Sequence, residues 1–233
     1  LHQNKPMRSL VLSIICLLSL SVSAQKQSQQ YRPNLTSFIC ENGENRYTRA
    51  LYGSPTDWRL ETSDRPMFAV LKKGHHRNIS FVLELDGKDY PLEENENCTS
   101  YYTFDRCYEL RDSRWGADAV LTIEAVASPD KEAAYWLFHC KGMKGTGRIK
   151  AIVRNIAQPK LYRNGDIGAD KPGCLEADGP VLQTVEIAIE DMAIMAVELD
   201  SMVVLDAQKD MQVVEDAKAH FRKISSIVYF SND

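Results

Sequence analysis

Residues 161–170, LYRNGDIGAD, gather Arg163, Asn164, Asp166 and Asp170 around two glycines, directly after a strand-like run. Gly165 and Gly168 tolerate positive φ, while the Asn and Asp side chains either bond nearby backbone amides in tight turns or present oxygens to a ligand. Oxygens at this spacing can converge on Ca²⁺, which takes carboxylates and carbonyls from irregular backbone. The loop is not an EF-hand. Counted from Asn164, the sixth position is Ala169 instead of glycine and the twelfth is Leu175 instead of glutamate. A structural turn is favoured over a calcium site at Asn164, Asp166 and Asp170, and no other cofactor is expected.

A second group lies in RYTRALYG, 46–53. On an extended strand Arg46 and Tyr52 share a face and Arg49 takes the other. Arginine there can clamp an acidic sugar, but pairing with Asp57 or Glu61, or holding an interface, is the favoured reading. Trp58 and Trp115 sit beside polar residues and glycine and are expected to be exposed, where they can stack on pyranose faces; Trp136, inside YWLF, is expected in the core. His75 and His76, beside Lys72, Lys73 and Arg77, read as a basic hairpin tip and, lacking a third ligand, make a weak metal site. Glycoside hydrolysis needs two carboxylates at a separation only tertiary structure sets. With 32 acidic residues in the chain, sequence selects no such pair, and no catalytic residue is assigned. Nucleophile-elbow, phosphate-loop, HExxH and dinucleotide motifs are absent, and Gly142, Gly145 and Gly147 read as a turn between strands.

The elements that must position these residues are mostly strands. Strand signals recur at 46–52, 67–72, 79–85, 100–104, 107–111, 119–127, 134–140, 148–154, 181–189 and 193–199, without helical crossovers, which predicts an all-β, antiparallel sandwich over a parallel α/β sheet. The clearest alternation is VLQTVEIAI, which predicts Val185, Ile187 and Ile189 in the core and Glu186 outward. Leu121, Ile123 and Ala125 repeat that pattern, and Asp86-Gly87 is a hairpin turn. After MVVL the period changes: Met211, Val214, Ala217, Phe221 and Ile224 predict one C-terminal linker helix from Asp206, with Asp206 as its cap. Its apolar stripe must be buried on the sandwich or against another domain.

Residues 7–24 read as a secretory signal: Arg8, an apolar run from Leu10 to Leu20, and Val22-Ser23-Ala24 before Gln25. The run is too short for a membrane span. Residues 1–24 are therefore set aside, 25–37 are expected to be a polar leader, 38–205 the sandwich, and 206–233 the helical linker into a following domain. An exported, periplasmic protein is expected. Losing Lys5 and Arg8 and no acid moves the formal charge from −4 to −6, which argues against nucleic-acid binding. Cys40, Cys98, Cys107, Cys140 and Cys174 remain. Cys98 and Cys107 can pair across a hairpin if their strands face each other, although buried free thiols are the favoured reading.

Taken together, ICENGENRYTRALYGSPTDWRLETSDRP (39–66), LRDSRWG (110–116) and LYRNGDIGAD resemble the N-terminal β-sandwich, of the supersandwich type and of unknown function, that precedes a six-hairpin (α/α) toroid in secreted bacterial glycoside hydrolase-like proteins. The resemblance runs from about Tyr31 to Asp233. It implies a chain that stops where the toroid would begin, and hence a non-catalytic scaffold whose partner is that toroid. It also implies that Arg46, Arg49, Tyr52, Trp58, Trp115, Arg163, Asn164, Asp166 and Asp170 are candidates for the domain interface or for glycan contact. An independent carbohydrate-binding module is the alternative, with a self-contained sandwich hydrolase as a weaker third.

Overall fold

The computed structural model describes residues 32–34, 37–157, 175–189 and 192–230, with side chains through 224. In chain order the strands are β1 (Arg32–Asn34), β2 (Ser37–Glu41), β3 (Tyr47–Leu51), β4 (Arg59–Ser63), β5 (Met67–Lys72), β6 (His75–Leu85), β7 (Lys88–Pro91), β8 (Asn97–Tyr102), β9 (Arg106–Arg111), β10 (Val120–Ala127), β11 (Ala133–Lys141), β12 (Gly147–Asn155), β13 (Asp178–Ala188), β14 (Met192–Glu198) and β15 (Ser201–Leu205); helix α1 follows (Ala207–Phe230). They form an antiparallel β-sandwich. One sheet has the order β1-β2-β8-β9-β10-β11-β14-β15; the other runs β13-β12-β6-β5-β4-β3, with β7 also on β6. Within the segment expected as a polar leader, Arg32–Asn34 pairs with β2.

Strand β6 shows how the second sheet is assembled. Its eleven residues are longer than either neighbour on one side, so β5 pairs with His75 to Ser80 and β7 takes over from Val82 to Leu85. Where the two lanes meet, the Arg65 guanidinium donates to the carbonyls of Gly43, Glu93 and Asn95 at 2.7–3.0 Å. These are backbone acceptors that no strand partner reaches, and charge-assisted bonds satisfy them.

Between the sheets, Phe68 sits edge-on to Phe81, Tyr108 and Trp136 with ring centroids 5.7, 5.7 and 5.3 Å away. Each such pair adds about 0.5–1.5 kcal/mol beyond simple burial. Strand β11 is covered on both faces. Trp136 and Phe138 enter the intersheet core, while Tyr135 and Leu137 lie under α1 with Val126, Ile194, Ala196, Val214 and Ala217. That double burial is why YWLF is a continuous apolar run. Strand β13 is the contrasting case, an edge strand. Val185, Ile187 and Ile189 do face the core as the alternation predicts, but they are half-buried, since a strand at the rim has no neighbour to cover its second flank.

Asp206 caps α1, accepting from the N–H groups of Gln208 (3.0 Å) and Lys209 (3.3 Å). Of the stripe predicted from its spacing, Met211, Val214, Ala217 and Phe221 rest on the outer face of the eight-stranded sheet, while Ile224 is exposed. Lys218 on this face is 5% exposed and pairs with Glu124 on β10 and Glu215. Among the described residues no helix is long and apolar enough to cross a membrane.

Candidate functional site

The sequence candidates separate into three groups. Arg163, Asn164, Asp166 and Asp170 lie outside the described residues, as does Cys174. The chain leaves the seven-stranded sheet at Ile156, whose N–H donates to His76 O (3.3 Å), and re-enters at Leu175, which is buried against Tyr47, Ala69, Leu71 and Ile156. Asn78 Nδ2 donates to Leu175 O (3.1 Å) and Tyr47 Oη (3.2 Å), so Leu175 is held on the outer face of this sheet.

Trp58 and Trp115 overturn their expectation of exposure, being 0% and 1% exposed. The polar residues around Trp58 form the turn that directs its ring inward, and its Nε1–H donates to Leu199 O at 2.8 Å, joining the start of β4 to the β14–β15 turn of the other sheet. Trp115 closes a 3-10 turn, Ser113–Trp115, whose cap Asp112 accepts from the Arg114 N–H (3.0 Å). Burial raises the Asp112 carboxyl, but hydrogen bonds from Arg114 and Glu96 outweigh it and hold its pKa below the ordinary value. Trp136 is in the core as predicted.

The arginines of the motif have structural partners other than those expected. Arg46 pairs with Glu44 at 2.7 Å instead of Asp57 or Glu61; Glu61 is paired with Arg59. Arg49 donates to Thr48 O and lies 5.1 Å over the Tyr102 ring, across the sandwich. A register shift between Tyr47 and Arg49 means that simple alternation does not carry from Arg46 to Tyr52. Tyr52, 60% exposed, is the motif's solvent-facing aromatic. At the β5–β6 tip, His75 Nδ1 lies 3.0 Å from Asp200 Oδ2 and Arg77 Nη2 donates to the same oxygen at 2.9 Å, tying the tips of the two sheets together. Among the described residues no group of His, Cys, Asp and Glu is placed to hold a metal ion. Cys98 and Cys107 do not face each other: Cys98 lies opposite Leu110 and Cys107 opposite Tyr101. Both thiols are free, and burial pushes each up to about 12.

A constellation that sequence reading missed lies at the far end of the same outer face. There the Asp86-Gly87 hairpin turn and the glycine turn before β12 are cross-linked: Asp86 N–H donates to Thr146 O and Thr146 N–H to Asp86 Oδ1, both at 3.1 Å. They rim an open cavity of about 520 Å³ lined by Glu84, Asp86, Gly87, Thr146, Gly147, Arg148, Glu186, Ile187 and Ala188. Gly147 sits where a Cβ would come within 2.8 Å of Glu84 O and 2.7 Å of Ile189 Cδ1, so the floor needs glycine. Arg148 reaches Glu84 (3.1 Å) and Glu186 (2.7 Å), while Lys150 reaches Glu84 (2.6 Å) and Asp89 (3.0 Å). The hydrogen bond to Glu186 holds Arg148 above its ordinary pKa, and the bonds to Glu84 and Asp89 do the same for Lys150. Its charges come from β6, β7, β12 and β13, far apart in sequence; the two turns on its rim were the only legible signal.

Chemically, this array offers carboxylate acceptors alternating with cationic donors on the solvent-facing side of the sheet. Elsewhere on the seven-stranded sheet side, Glu93 is pushed above its ordinary pKa chiefly by burial, partly offset by its own backbone bond, with Glu94 raising and Arg154 lowering it. No family model, curated protein or solved structure matches the chain. The fold is an antiparallel all-β sandwich bearing a single α-helix among the described residues.

Proposed function

We propose that this chain is a non-catalytic β-sandwich module of a secreted, glycoside hydrolase-like protein of polysaccharide degradation, and that it gives shape and a docking surface to an (α/α) toroid. The observation that carries this reading is how the motif residues are used. Trp58 with Leu199 and Arg49 with Tyr102 each span the two sheets, and Arg77 with Asp200, outside the motifs, adds a third tie between them. Side chains that the alternative needs as an aromatic sugar platform are core: Trp58 and Trp115 cannot stack on a pyranose from inside. Tyr52, on the surface, remains as a contact candidate for the toroid. The test is to add the purified chain to an (α/α) toroid domain of this glycosidase type and follow the toroid's melting temperature and its activity on chromogenic glycosides. Stabilisation of the toroid, with no turnover by the chain alone, is expected. Turnover by the chain alone, or no effect on any toroid, overturns the proposal.

A further inference from the structure

We propose that the open cavity between the Asp86-Gly87 and Gly145–Thr146 turns is a binding site for a neutral, polyhydroxylated ligand of saccharide type. The inference rests on the cavity and its ion-pair array, and stands whether or not the chain serves a toroid. At about 520 Å³ the cavity lies within the range of small-molecule sites. Its rim is fixed in advance by the paired Asp86–Thr146 bonds, and its floor by Gly147.

The charge pattern selects the ligand. Four carboxylates, on Glu84, Asp86, Asp89 and Glu186, face two cations, Arg148 and Lys150, so a phosphate-rich or sulfated chain meets net repulsion. A simple cation would have to displace Arg148 or Lys150 from carboxylates they already hold at 2.6–3.1 Å. A hydroxyl is both donor and acceptor. It can donate to a carboxylate oxygen and accept from the neighbouring guanidinium or ammonium without breaking the pair between them. Adjacent hydroxyls on one sugar ring can therefore address Glu186, Arg148 and Glu84 in turn, while Ala188 supplies apolar wall for the ring's C–H groups.

The test is isothermal titration of the purified chain with cello-, xylo-, malto- and mannotriose, alongside heparin as the polyanionic control. Saturable binding of at least one neutral trisaccharide is expected, with affinity changing less than about twofold between low and high salt because no net charge is exchanged. Arg148→Ala and Glu84→Gln should each weaken it by about tenfold, the scale of one charge-assisted hydrogen bond. Glu215→Gln, on the opposite sheet's helix, should leave it unchanged. If a variant fails to fold, shifts of the wild-type Gly87, Gly147 and Ala188 amide resonances on titration supply the readout. Absence of binding to all four trisaccharides, binding that leaves those resonances and both variants unaffected, or a steeply salt-dependent preference for heparin overturns the assignment.

Discussion

At Gly53, the last residue of RYTRALYG, an added Cβ would sit 1.7 Å from the Ser128 carbonyl oxygen, a backbone atom with no freedom to retreat. Gly53→Ala should therefore destabilise the chain by about 1–3 kcal/mol, the cost of overpacking, read as a lower urea midpoint. The motif was legible as a pattern, but its reason is a contact 75 positions away that no local rule supplies. The thiols give a second prediction at this scale. Cys98 and Cys107 are pushed up by burial from about 9.0 to about 12 in the folded chain. For an acid whose folded pKa is raised, stability is fully present below the unfolded pKa and falls as pH rises through the folded one. The urea midpoint should fall from pH 9 upward, and Cys98→Ala should flatten that slope; a midpoint as steeply pH-dependent in the variant would refute the cause. The hairpin disulfide fails for a reason sequence spacing hides: Cys98 points into the core while Cys107 lies on the outer face of the same sheet.

At the scale of elements, the two strands easiest to compare are β11 and β13. The cleanest alternation in the sequence belongs to the rim, because a strand with one solvated face displays its period, whereas a strand buried on both faces conceals it in an apolar run. The helix was read nearly whole from its three-and-four spacing. Asp206→Ala should speed amide exchange in its first turn, at Gln208 and Lys209, leaving the last turns unchanged. Lys218 interrupts the apolar stripe, and its ammonium reaches Glu124 from a nearly covered position. Replacing Lys218 by Met and Glu124 by Leu together, which keeps apolar contact and removes both charges, should change stability by less than about 1 kcal/mol in either direction. A large loss in that double variant would show that the ion pair, not apolar contact, seats the helix.

For the whole molecule, the intersheet aromatics around Phe68 and Trp136 are where the two layers become one body. Trp136→Ala should cost about 3–5 kcal/mol in chemical denaturation, more than any surface change, since the cavity it leaves is enclosed by both sheets. Trp58→Phe keeps the burial and removes only the bond to Leu199, so its smaller loss measures the end-to-end tie by itself. The amino-acid sequence alone determined the antiparallel all-β class, the C-terminal helix with its cap, the Asp86-Gly87 turn and the core position of Trp136, because each follows from periodicity or from the chemistry of a few neighbouring residues. Only tertiary structure decided that Trp58 and Trp115 face inward, that Arg46 pairs with Glu44, and that Glu84, Asp89, Arg148, Lys150 and Glu186 share one surface. Those outcomes depend on strand register and sheet order, which bring distant residues together and which local periodicity does not encode.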